Sequence, residues 1–94
     1  MMKEQFEQYL VKAGYSKVTP SGHPSTVYDY LKRIEKVCEW EQISWEELSD
    51  KIGNIVRVYD RGGEKEELGN KSHRAGINAL KNFEVFVFKS KDID

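Results

Sequence analysis

Lys71, Arg74, Asn78 and Lys81 recur at intervals of three, four and three residues. On a helix that spacing gathers their side chains on one face. Cations neutralise phosphate charge, and an amide can bond both phosphate oxygens and base edges, so this face has the chemistry of duplex DNA contact. The residues just before it, Asn70, Ser72 and His73, would open the helix and leave backbone N–H groups free for an anion. Lys32, Arg33 and Lys36 form a second, weaker cationic group on the outer side of an earlier helical segment.

Catalytic chemistry finds little support. His23 lies between Gly22 and Pro24, His73 opens the last segment, and neither stands near Cys38 or a serine in a nucleophile pattern. Cys38 falls on an apolar stripe, where a thiol packs as a small hydrophobe. One cysteine and two histidines at positions 23, 38 and 73 lack the close-paired spacing of a zinc site. Gly62-Gly63 is followed by Glu64 and Lys65, not by the Gly-Lys-Ser/Thr ending of a phosphate loop. The expectation is a protein with no catalytic residues, metal or cofactor of its own.

The elements that must position the cationic face follow from composition and periodicity. Ninety-four residues suit one domain, 1–94, with no room for a second. Eleven aromatics supply a core economically, and 15 basic against 16 acidic residues give a solvated, nearly neutral surface. That neutrality is unlike a strongly basic nucleic-acid binder, although the charge is uneven. Residues 70–94 carry five basic and three acidic side chains, whereas residues 42–69 carry four and seven. A lone cysteine and the lack of a signal-peptide run at the start point to a reducing, cytoplasmic setting. No stretch approaches the roughly 18–20 apolar residues of a membrane span.

Four helices are expected, at about 2–13, 24–41, 44–60 and 70–88. Phe6, Tyr9, Leu10 and Ala13 make the face of the first, and Gly14 follows in the position of a left-handed cap. Val27, Leu31, Ile34 and Cys38 make the inner stripe of the second, widened by Tyr30 and Val37. Ser44-Trp45-Glu46-Glu47 is a capping box, with Ile43 placed to staple against Leu48. Asn70 is the N-cap expected for the fourth helix, with Ile77, Leu80, Phe83 or Glu84, and Val87 along one face and Ala79, Phe83 and Phe86 along a second. An α+β alternative pairs residues 55–59 with 83–88 in a short hairpin, because both runs alternate like strands. Trp40, Trp45, Tyr28 and Tyr30 read as core and rim aromatics.

These features line up in an order that resembles a known family. Phe6 with Tyr9-Leu10, Gly14-Tyr15-Ser16 with Thr19, then Tyr28, Leu31 and Ile34 come first. Ser72-His73 with Ile77-Asn78-Ala79-Leu80, Phe83 and Phe86 complete the series. Over roughly residues 4 to 87 the chain resembles the N-terminal core-binding, SAM-like domain of phage integrases and other tyrosine recombinases. The resemblance implies a compact all-α four-helix bundle that clamps one side of double-stranded DNA with its second and fourth helices. It implies a DNA-facing set of Thr19, Lys71, Ser72, Arg74, Asn78 and Lys81, with Lys32, Arg33 and Lys36 as weaker members. The recombinase arginines, histidines and nucleophilic tyrosine belong to a separate catalytic domain, so such a module acts beside a fused or associated partner. A competing expectation is a protein-interaction or specificity domain of a larger mobile-element or defence protein, using Trp45 or Phe86–Phe88 as its contact.

Overall fold

The computed structural model describes residues 2–15 and 26–92, apart from the side chains of 71–73, 91 and 92. The described chain is all-α. It consists of α1 (Met2–Lys12), α2 (Thr26–Glu41), α3 (Trp45–Asp50), α4 (Ile52–Tyr59) and α5 (Glu66–Asp92). Residues 55–59 and 83–88 both lie inside helices, so the hairpin alternative does not form. The strand-like alternation there reflects helices with apolar residues on more than one side.

Local chemistry sets several of the boundaries. The Tyr15 N–H donates to Leu10 O and Gly14 N–H to Val11 O, while Gly14 takes φ 103°. That is a glycine-capped helix end, and it stops α1 where the sequence places it. At α3 the Glu47 N–H donates to Ser44 Oγ over 3.1 Å and the Ser44 N–H returns to Glu47 Oε1 over 3.4 Å. Both arms of the capping box are therefore made.

Three features differ from expectation, besides a last helix that runs on to Asp92 instead of ending near 88. The segment 44–60 is two helices, because Lys51 at φ −108° and ψ 12° leaves the helical region and separates α3 from α4. The last helix begins at Glu66 and not at Asn70. Its start follows from the turn before it: Gly62 adopts φ 83°, Gly63 N–H donates to Asp60 O, and Lys65 N–H donates to Val58 O. With Glu66 and Glu67 in the first turn, where the helix dipole favours anions, Asn70 lies inside the helix.

The third difference is a sharp bend in α5. Arg74 has φ 67°, a left-handed conformation that side-chain-bearing residues seldom adopt. A Cβ built on Gly76 would stand 3.3 Å from the carbonyl oxygen of Leu68. Eight residues of straight helix span about 12 Å, so the two limbs fold towards each other at Arg74.

The core runs through all five elements. Phe6 and Leu10 of α1 meet Val27, Leu31, Ile34 and Val37 of α2, Leu48 of α3, Ile52 and Tyr59 of α4, and Ile77, Leu80 and Phe83 of α5. Phe6 sits edge-on to Phe83, with ring centroids 5.1 Å apart, and Trp45 meets Phe83 edge-on at 5.6 Å. Trp40 stacks on Tyr59 at 6.1 Å. Trp40 and Trp45 are thus core-and-rim residues, as is Tyr30, whereas Tyr28 is exposed. α5 packs most extensively on α4 and next on α2. The α4 contact is close because Gly69 lies against the Tyr59 backbone, where a Cβ would come within 2.1 Å of the carbonyl oxygen.

Candidate nucleic-acid interface at the junction of α4 and α5

Asp60, the residue that ends α4, organises the cationic face. Arg74 Nη2 donates to Asp60 Oδ1 over 3.0 Å, and Lys81 Nζ lies 3.2 Å from Oδ2. The Arg61 N–H donates to Oδ1 over 2.8 Å. That backbone bond, together with the Lys81 ammonium and the Arg74 guanidinium, holds the Asp60 carboxyl below the usual carboxylate range. The carboxylate therefore stays ionised and pins both cations, one at the α5 bend and one seven residues past it.

Two cations missing from the sequence-based set stand beside this cluster. Arg57 is on the last turn of α4 and Arg61 follows Asp60 directly. Both are exposed, and among the described residues neither meets a carboxylate. Arg57, Arg61, Arg74 and Lys81 share the junction with Asp60 and with Glu64, Glu66 and Glu67 of the turn and first helical turn, so its cations are clustered but matched in number by carboxylates. The available signal was the spacing of Arg57 and Arg61, four residues apart, but the acidic count of residues 42–69 obscured it.

Asn78 is exposed between Arg74 and Lys81 in sequence, and its carbonyl oxygen accepts from Asn82 Nδ2 over 2.9 Å. Its side-chain amide is left to face outward. Past Lys81 the outer face of α5 turns apolar, with Val85 and Phe88 at 43% and 52% exposure. Beyond them the surface is polar again at Lys89 and Ser90. The bend also means that Lys71 and Lys81 do not share one straight helix, contrary to the single-stripe expectation. Thr19 lies outside the described residues, as do the side chains of Lys71 and Ser72.

The α2 group is brought together but neutralised. Arg33 pairs with Asp29 at 3.5 Å, Lys36 with Glu39 at 3.7 Å, and Lys3 of α1 pairs with Glu35. Asp29, Glu35 and Glu39 match Lys32, Arg33 and Lys36 in number along this face, leaving only Lys32 of those three without a counterion among the described residues. Such exposed pairs are worth about 0–1 kcal/mol each, yet together they cancel the field a phosphate would feel.

Elsewhere, burial pushes the Cys38 thiol up to about 11, with Glu35 and Glu46 adding to the effect, so it is a neutral packed thiol. Among the described residues no group of three His, Cys, Asp or Glu side chains could hold a metal ion. None of the helices among those residues is long and apolar enough to cross a membrane.

Comparison of the chain with protein-family models, with curated proteins and with solved structures finds no match in any of the three.

Proposed function

We propose that this chain is a non-catalytic DNA-binding helical module, with the junction of α4 and α5 as its contact surface. The observation that carries the reading is that Arg74 and Lys81, two cations, share the single carboxylate of Asp60, beside Arg57 and Arg61, which meet no carboxylate among the described residues. Pre-pairing with a carboxylate orders two long side chains before a ligand arrives. A phosphate that displaces the carboxylate then meets both cations without the full cost of immobilising them. Asn78 supplies a neutral donor and acceptor on the same side of α5 for a sugar, phosphate or base edge. The likeness to integrase core-binding domains supports the same assignment, with the catalytic step left to another domain.

The test is fluorescence anisotropy of a labelled generic duplex with the full chain at several salt concentrations. If the four cations each neutralise a phosphate, the plot of log affinity against log salt should have a slope of roughly −3 to −4. Ala substitution of Lys81 should lower affinity similarly for any sequence and reduce the slope by about one. Absence of binding at low salt would overturn the reading.

A further inference from the structure

A second surface lies away from Asp60, between α1 and the C-terminal part of α5. It is a groove of about 270 Å³ whose lining includes Gln8, Tyr9 and Lys12 from one helix and Phe86, Lys89 and Ser90 from the other. Tyr9 and Phe86 form the floor, with ring centroids 5.5 Å apart. The Lys89 ammonium stands 5.7 Å from the centroid of the Tyr9 ring, and Lys12 occupies the other helix's last turn. Val85, one helical turn before Lys89, extends the apolar surface past the groove edge.

Charge sets this groove apart. Lys3, Arg33, Lys36, Lys65, Arg74 and Lys81 each meet a carboxylate. Lys12 and Lys89 meet none among the described residues, and no described carboxylate lines the groove. Lys32, Arg57 and Arg61 also meet no carboxylate among the described residues, but only here do two such cations line an aromatic groove. An aromatic floor between two uncompensated ammonium groups is complementary to an apolar side chain flanked by anions. The volume is below the roughly 300–1,000 Å³ of a typical small-molecule site, but it can take one or two anchoring side chains. Duplex DNA presents no protruding apolar group to fill such a floor.

We infer that the groove between α1 and α5 docks an acidic, amphipathic helical segment of a partner protein. One or two large aliphatic or aromatic anchors lie on Tyr9 and Phe86, and flanking carboxylates meet Lys12 and Lys89. This helix-in-groove mode draws affinity from the buried anchors and orientation from the charges. It is independent of the DNA surface, since it shares no residue with the Asp60 cluster.

The experiment uses the full chain, isotopically labelled, with a synthetic amphipathic peptide carrying Leu at helical spacing and Glu elsewhere. A control peptide carries Gln in place of every Glu. The expected result is amide shift changes centred on Gln8, Lys12, Lys89 and Ser90, with clearly weaker binding of the Gln peptide. The double variant Lys12→Glu, Lys89→Glu should lose about tenfold or more in affinity. It should also bind a Lys-for-Glu peptide better than the parent protein does, which a folding defect could not produce. Absence of shifts, equal binding of the Gln peptide, or shifts centred on Arg57, Arg61 and Lys81 would each overturn the inference.

Discussion

Arg74 reaches back fourteen positions to bond Asp60, and it does so from a left-handed backbone conformation. The bend in α5 and the ion pair are therefore one feature: the turn at Arg74 delivers the guanidinium to the end of α4. A non-glycine residue in this region costs about 1–2 kcal/mol, which the surrounding packing must offset. This coupling yields the first prediction. Arg74→Gly removes the pair but relieves the backbone, whereas Arg74→Ala removes the pair and keeps the strain. The Ala variant should be the less stable by about 1 kcal/mol, read from urea unfolding midpoints. Equal midpoints would mean that the bend is not held at this residue.

Asp60 restrains the two cations that the DNA reading needs. Replacing it, Asp60→Asn, removes a negative charge from the surface and frees Arg74 and Lys81. Duplex DNA affinity at low salt should rise severalfold, with a steeper salt dependence. A fall in affinity would show that orientation by Asp60 matters more than its charge.

The glycines of the α4–α5 junction are spaced for backbone contact. A methyl group on Gly69 would meet Tyr59 O at 2.1 Å, and one on Gly63 would meet Val58 O at 2.2 Å. Gly69→Ala should cost about 1–3 kcal/mol, because two backbones must move apart. Gly53, on α4, has nothing within 4 Å of its built Cβ. Gly53→Ala should stabilise by about 0.5 kcal/mol through helix propensity. Thermal melts of the two variants should shift in opposite directions.

A separate polar clip ties α2 to the α4–α5 turn. Tyr59 Oη donates to Glu41 Oε2 over 2.8 Å, and Lys65 Nζ donates to the same oxygen. Burial raises the Glu41 carboxyl, but the hydrogen bonds from Lys65 and Tyr59, with the Lys65 and Lys51 charges, outweigh it and hold the group below its usual value. A carboxyl depressed in the folded state contributes stability that is fully present above its unfolded value, about 4.3. That contribution is lost as pH falls through the lower folded value. Glu41→Gln should therefore flatten the acid limb of the stability–pH curve, and Tyr59→Phe should cost about 1.5 kcal/mol at neutral pH. An unchanged acid limb in Glu41→Gln would assign that limb to other carboxylates, Asp60 among them.

Much of the helical frame was legible because its causes are local. Gly14 caps α1, Ser44 and Glu47 box the start of α3, and Val27, Leu31, Ile34 and Cys38 face inward at the spacing of a helix. The misread boundaries have local signals that packing overrode. Asn70 has the chemistry of an N-cap, yet the turn through Gly62 and Gly63 starts the helix earlier and leaves Gly69 inside it against Tyr59. Trp45, read as a core-and-rim aromatic, is half-buried and packs edge-on to Phe83; of the C-terminal pair offered as a contact, Phe88 is exposed and Phe86 buried.

The sequence by itself determined most of the helical frame, which stripes turn inward and where a cationic face could arise, while the hairpin of 55–59 with 83–88 was excluded only by the structure. Those properties depend on residues within one or two turns of each other. Only the tertiary structure decided how the charges are used. Asp60 takes Arg74 and Lys81, Asp29 and Glu39 take Arg33 and Lys36, while Lys12 and Lys89 line one groove with Tyr9 and Phe86. A short-range ion pair such as Arg33 with Asp29 is visible in spacing. The meeting of Asp60 with residues fourteen and twenty-one positions later is not, because it depends on the turn after α4 and the bend at Arg74.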